Sequence, residues 1–121
     1  MTPRILLTGK DGQVGFELRR SLAVLGKIVA IGRAECDMQN PYAVRLLVRE
    51  VAPSIIVNAA AYTAVDAAEV NHKAALSING EAPGILGEEA KRLNALVVHY
   101  STDYVFDGTK NGAYTEADPP N

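Results

Sequence analysis

The sequence holds a single cysteine, Cys36, so no disulfide can form within the chain and nothing points to an oxidising compartment. No apolar run is long enough to span a membrane, and the apolar part of the opening MTPRILLTG is too short for a secretory signal. Lysine and arginine form no cluster, and a net charge of −2 speaks against a nucleic-acid surface. Internal repeats and low-complexity stretches are missing as well. What remains is an ordinary globular composition, 48% hydrophobic and 21% charged, in 121 residues, the size of one domain. A soluble cytoplasmic protein with no membrane or nucleic-acid partner is expected.

Four short apolar runs punctuate the chain: RILLT (4–8), KIVAI (27–31), SIIVNAAA (54–61) and ALVVHYS (95–101). None alternates cleanly with polar residues, as expected of strands covered on both faces. Helical spacing fills the intervals. Val14, Leu18, Leu22 and Leu25 form one stripe, and Val44, Leu47, Val48 and Val51 a second. Ile78, Ala82, Ile85, Leu86, Ala90 and Leu93 form a third. Such alternation builds a parallel sheet through right-handed crossovers. The expected fold is a doubly wound, Rossmann-like α/β sheet of about four strands in the order 3-2-1-4. Gly26 should close the first helix, Asn40-Pro41 open the second and Pro53 follow its end. Pro83 lies within the third helical stretch, where it removes a bond to the carbonyl of Asn79 and predicts a kink. From Asp107 onward the chain reads as a loop.

GKDGQVG (9–15) follows the first strand and opens the first helix. Gly9, Gly12 and Gly15 make a G-x-x-G-x-x-G variant of the dinucleotide fingerprint. That pattern meets three demands: a tight turn, close backbone approach to a pyrophosphate, and close helix–strand packing. The helix N-terminus, through Gln13 and Val14, adds unpaired N–H groups for the phosphates. At the end of the second strand, where NAD sites usually carry an acid, stand Gly32 and Arg33. Arg33, helped by Lys10, favours a 2′-phosphate by charge and bidentate bonding. NADPH is therefore the expected cofactor, with NADH tolerated.

With these residues in view, the chain resembles the extended short-chain dehydrogenase/reductases, and more narrowly the dTDP-4-dehydrorhamnose reductase family. GKDGQVGFEL (9–18), VNAAAYTAVDAAE (57–69) and VHYSTDYVFDGT (98–109) carry the resemblance, which covers nearly the whole chain. It implies hydride transfer from the nicotinamide to the 4-keto group of dTDP-4-dehydro-rhamnose, giving dTDP-rhamnose, a donor for cell-envelope sugars. The resemblance assigns Thr102 the catalytic task of holding the substrate carbonyl. It places Asp37 and Met38 near the adenine, and Ala59, Ala60, Ala61 and Thr63 along the cofactor. Asn79 is carried over with the cofactor set, and Val65 and Tyr104 lie beside the sugar. His99 reads instead as a satisfied core histidine. Glu17 matches a position that binds Mg²⁺ in some family dimers, but no metal is expected to be held by this chain.

The family's Tyr and Lys, in a Y-x-x-x-K motif, do not occur here. Tyr42, Tyr62, Tyr100, Tyr104 and Tyr114 are followed four residues later by Leu46, Asp66, Tyr104, Gly108 and Asp118. The expectation is the N-terminal part of a dinucleotide-binding domain, with the catalytic Tyr–Lys region and substrate domain lying outside it. By itself such a chain would bind cofactor weakly and not turn over. An unpaired apolar edge at the fourth strand would favour self-association, as a homo-oligomer, or marginal stability. Two alternatives share the same pattern. One is a non-catalytic dinucleotide-binding subunit resembling the β subunit of methionine adenosyltransferase. The other is a different nucleotide-sugar reductase or epimerase.

Overall fold

The computed structural model describes residues 2–61, 63, 65–102 and 105–120, with the side chains of 65 and 66 left aside. Four strands form one parallel sheet: β1 (Arg4–Thr8), β2 (Lys27–Ile31), β3 (Ile55–Asn58) and β4 (Leu96–His99). Between them run α1 (Gln13–Ser21), α2 (Pro41–Val51), α3 (Val65–Val70), α4 (His72–Leu76) and α5 (Ala82–Leu93). The expected fold class is present. The strand order differs in detail from 3-2-1-4: the sheet runs β2-β1-β3-β4, with β1 between β2 and β3.

The reason lies in the direction of each crossover. From β1 to β2 the chain steps one way; after β2 it reverses, passes β1, and continues to β3 and β4. Right-handed crossovers then put α1 on one face and α2 with α5 on the other. Strand alternation sorts the core accordingly. Leu6, Ile31 and Ile56 meet Val44 and Val48 of α2 and Ile85, Leu86 and Ala90 of α5. Ile5, Leu7 and Val57 face the other way, against Leu18 and Leu22. Sequence periodicity identifies the elements but carries no sign for the direction of a crossover.

Charge does carry some of that information. Arg45 donates to Glu88 at 2.6 Å and Arg49 to Glu89 at 2.6 Å, locking α2 alongside α5. Glu89 is only 2% exposed, and Arg92 adds a third cation at 3.5 Å. The bond from Arg49 holds the Glu89 carboxyl below the usual glutamate value.

Helix boundaries follow local chemistry. The Asn40 side chain accepts the Ala43 N–H at 3.2 Å and Pro41 takes the first helical position, so α2 starts as expected. Ala52 ends it in the left-handed conformation, just before Pro53. The irregularity expected at Pro83 is a π turn over Ser77–Glu81, immediately before α5. There the Ala82 N–H bonds Ser77, and Pro83, which has no N–H, falls in the first turn of α5.

The α1 face is covered less fully than its stripe suggests. Val14 and Leu25 are exposed; Leu18 of α1 and Leu22 of the short 3-10 helix that follows it (Leu22–Val24) are the members of the stripe packed on the sheet. On the same side, Leu96 (60% exposed), Val98 (39%) and Tyr100 lie open at alternate positions of the edge strand. Residues 107–120 form a loop, as expected, but a self-packed one. Phe106 and Tyr114 stack with ring centres 4.3 Å apart, and Asp107 and Asp118 accept the backbone N–H groups of Thr109 and Thr115.

Because Glu89 has a depressed folded value, its stabilising effect is complete above the unfolded value of about 4.5 and is lost as pH falls through the folded one. The Glu89→Gln variant is expected to melt at a lower temperature at neutral pH and to lose part of the wild-type fall in Tm below pH ~5. Melting curves followed by circular dichroism across pH check this; a variant with the wild-type Tm and the same acid slope would contradict it.

Candidate functional site

The C-terminal ends of all four strands lie along one side of the sheet, because the strands are parallel. Winding reverses between β1 and β3, and open α/β sheets take ligands in the crevice at such a reversal. A cavity of about 920 Å³ opens there. Its floor is the glycine turn after β1, its far wall the turn after β2, and its near wall the segment after β3.

The turn is built by two contacts that admit no side chain. Gly9 has φ +72°, and a Cβ there would sit 2.5 Å from the backbone of Ala59 at the end of β3. A Cβ on the buried Gly15 would lie 1.8 Å from the Gly9 carbonyl oxygen. Gly12 is different. Its backbone is extended (φ −79°, ψ 173°), which any residue adopts, and a Cβ would meet only the Gly9 oxygen at 3.6 Å. Neither conformation nor packing calls for glycine at 12. It lies at the N-cap of α1 and lines the cavity, where a side chain would fill the space above the helix terminus. That cradle fits a phosphate approaching free backbone N–H groups.

The expected cofactor residues divide around this cavity. Gly9, Gly12, Arg33, Asp37 and Met38 line it, as do Ala59, Ala60, Ala61 and Thr63. Lys10 is tied to it from the side, its N–H donating to Ile31 at 3.2 Å. Gln13 and Val14 form the first turn of α1 without lining the cavity, and Gly15 is buried beneath it. Asn79 lies exposed in the π turn and is not brought to the cavity. Thr102 stands three residues beyond β4, exposed, on the same edge of the sheet but outside the cavity wall. Tyr104 and the side chain of Val65 lie outside the described residues.

Other lining residues had no signal as site residues in the sequence reading. Asn71 and Ala74 come from the start of α4, and Ile78, expected only as part of the third helical stripe, comes from the π turn. Cys36 also lines the wall; burial first, then the charge of Asp37, pushes its thiol up, so it stays protonated and unreactive. Thr8 and Asn58 begin a polar row across the sheet, Thr8 donating to Asn58 Oδ1 at 2.5 Å. Asn58 Nδ2 meets His99 Nδ1 at 3.0 Å. The three are register partners on β1, β3 and β4. With Asn58 Nδ2 as the donor, His99 Nδ1 is the acceptor of this bond. His99 is satisfied as expected, yet exposed rather than in the core. Glu17 pairs with Arg20 at 2.9 Å on the surface of α1.

At the end of β2, Glu35 accepts the Gly32 N–H at 2.9 Å and the Lys10 ammonium. The Lys10 bond first, then the Gly32 bond, lowers the Glu35 carboxyl, so it is charged at neutral pH.

The family model described as RmlD substrate binding domain matches residues 3–121. The chain belongs to this family. A dTDP-4-dehydrorhamnose reductase of Burkholderia thailandensis is 56% identical over 116 residues, covering 96% of this chain and 39% of the relative. The enzyme of the same name from Escherichia coli K12 is 46% identical over 118 residues, 94% of this chain and 40% of the relative. This chain thus spans about 40% of the length of the curated relatives it matches. Among solved structures, dTDP-4-dehydrorhamnose reductase from Bacillus anthracis in complex with NADP superposes with a TM-score of 0.91 at 34% identity. That match covers 99% of this chain and 43% of the other. A UDP-glucose 4-epimerase of Thermus thermophilus, at 18% identity and TM-score 0.82, shares the fold.

The two glycines separate folding from binding. Gly15→Ala is expected to destabilise by about 1–3 kcal/mol or more, since backbone must move. Gly12→Ala should keep the wild-type Tm and weaken dinucleotide binding on the order of tenfold. Paired melting and titration of both variants check this; equal loss of stability in both would contradict it.

Proposed function

We propose that this chain is the dinucleotide-binding part of an NAD(P)H-dependent reductase acting on the 4-keto group of dTDP-4-dehydrorhamnose. The carrying observation is the cradle at Gly12, a glycine that the fold itself does not require and that lines the cavity at the N-cap of α1. The relatives' shared activity and the NADP complex of the Bacillus anthracis enzyme favour the same reading.

The residues divide the work. The N-terminus of α1 above Gly12 receives the pyrophosphate, with Gln13 and Val14 contributing N–H groups. Arg33, Asp37 and Met38 take the adenosine end, and Ala59, Ala60, Ala61 and Thr63 lie along the cofactor toward the nicotinamide. Lys10, Gly9 and Gly15 shape the turn. Asn79 has a place in the cofactor set by resemblance alone. A bound reduced dinucleotide supplies the hydride that attacks C4 of the sugar. Thr102, on the binding edge of the sheet, hydrogen-bonds the carbonyl and holds it in position; Tyr104 and Val65 flank the sugar. The product alkoxide needs a proton, and no tyrosine of this sequence has a lysine four residues later to tune it. NADPH is the cofactor and NADH is tolerated. The parent protein is cytoplasmic. The 121 residues alone bind cofactor weakly without turnover.

Titration of the chain with NADPH, followed by nicotinamide fluorescence, should saturate. Addition of dTDP-4-dehydrorhamnose should then leave the nicotinamide absorbance constant. Failure to saturate would remove the cofactor site; steady NADPH oxidation would overturn the division between binding and turnover.

A further inference from the structure

The end of β2 carries no acid in the sequence, yet the structure places carboxylates there. A Cβ built on Gly32 would meet Asp11 Oδ2 at 2.4 Å, Lys10 Cε at 3.2 Å and Glu35 Oε2 at 3.3 Å. The space beside position 32 is thus occupied by the ends of three flexible side chains, two of them carboxylates, and a Cβ there would require the Asp11 carboxylate to swing aside. Glu35 engages both partners at once, one oxygen on the Gly32 N–H and the other on Lys10. Gly32, Arg33 and Asp11 line the cavity; Lys10 and Glu35 do not line it themselves but are bonded beside Gly32, next to the wall assigned above to the adenosine end. The charged side chains at this corner are Lys10 and Arg33 against Asp11, Glu35 and Asp37: two cations and three carboxylates.

We propose that Glu35 is a cofactor-selectivity residue: by engaging Lys10 beside Gly32, it weakens the preference for a 2′-phosphorylated dinucleotide and lets the chain accept a plain ribose diol. This rests on the cofactor reading above. A 2′-phosphate brings added negative charge to a corner that is already net acidic, and its strongest ammonium partner is occupied. To bind it, Lys10 must leave Glu35, and Glu35 is left beside the phosphate. A ribose diol asks for neither change; it donates to carboxylates and leaves the Lys10–Glu35 pair in place. Arg33, exposed on the wall, is the cation that remains for a phosphate. Selectivity at this corner is thus set by a competition between Glu35 and the cofactor for one ammonium.

The test uses the full 121-residue chain and separate titrations with NADPH and NADH. Glu35→Gln keeps an acceptor for the Gly32 N–H, so the turn is retained, but releases the charge from Lys10. It should tighten NADPH about threefold to tenfold and change NADH less than twofold. Lys10→Met should weaken NADPH and leave NADH close to wild type. The NADPH gain in Glu35→Gln should shrink as salt rises, since the charges are near the surface. Parallel changes for both cofactors in Glu35→Gln, or a gain confined to NADH, would overturn the proposal and leave Glu35 as a residue that only shapes the turn. Wild-type chain that binds neither dinucleotide would overturn the cofactor reading itself.

Discussion

Between the turn after β1 and the end of β3 there is no space for a single Cβ. Gly9 presses its backbone on Ala59, and Gly15 brings α1 against the carbonyl of Gly9. These contacts bring the first helix close enough to the sheet for its N-terminus to face the crevice between β1 and β3. Everything placed around the cavity follows from that approach. The turn after β2 is drawn in by the bond from Lys10 to Ile31, and the segment after β3 lies directly against the glycine turn. A larger residue at either glycine would move the helix away and open the site from below.

The sheet edge that bears this site is held by polar bonds of an uncommon kind for a buried sheet. Thr8, Asn58 and His99 are bonded side chain to side chain across three neighbouring strands, and Thr8 and Asn58 are almost fully buried. Such a row is costly unless every member is satisfied, and it fixes register because a slip of one residue would strand each group. Between α2 and α5, the Glu89 cluster does the equivalent. Both devices align elements that apolar packing alone would leave free to slide.

Much of this was legible in the sequence. The four strands lie within the four apolar runs, although only β1 and β3 are largely buried; the edge strand β4 is just as apolar but exposes Leu96 and Val98. Asn40-Pro41 marks the start of α2 because cap and N1 chemistry are local. Of the residues expected to bind cofactor, Gly9 and Gly12 in the glycine turn and Ala59, Ala60, Ala61 and Thr63 after β3 line the cavity, whereas Gly15 and Asn79 do not. Strand order was not legible, because the direction of a crossover is decided by which helices pack together. Arg45 and Arg49 opposite Glu88 and Glu89 held that information, unreadable until the helices are in place. Glu35 reaches Gly32 locally, three residues on, but Asp11 comes from the turn after β1 and approaches Gly32 only when β1 and β2 pair. The wall from α4 was missed because a π turn breaks the helical period at Ser77–Glu81.

Amide chemical-shift mapping of the isotope-labelled chain with NADP⁺ tests the location of the site most directly. Shifts are expected to concentrate in the glycine turn from Gly9 to Gly15, the turn from Gly32 to Met38 and the segment from Ala59 to Ala61. Shifts concentrated instead in the self-packed loop 107–120, or on the joined faces of α2 and α5, would contradict a dinucleotide site at the β1–β3 crevice.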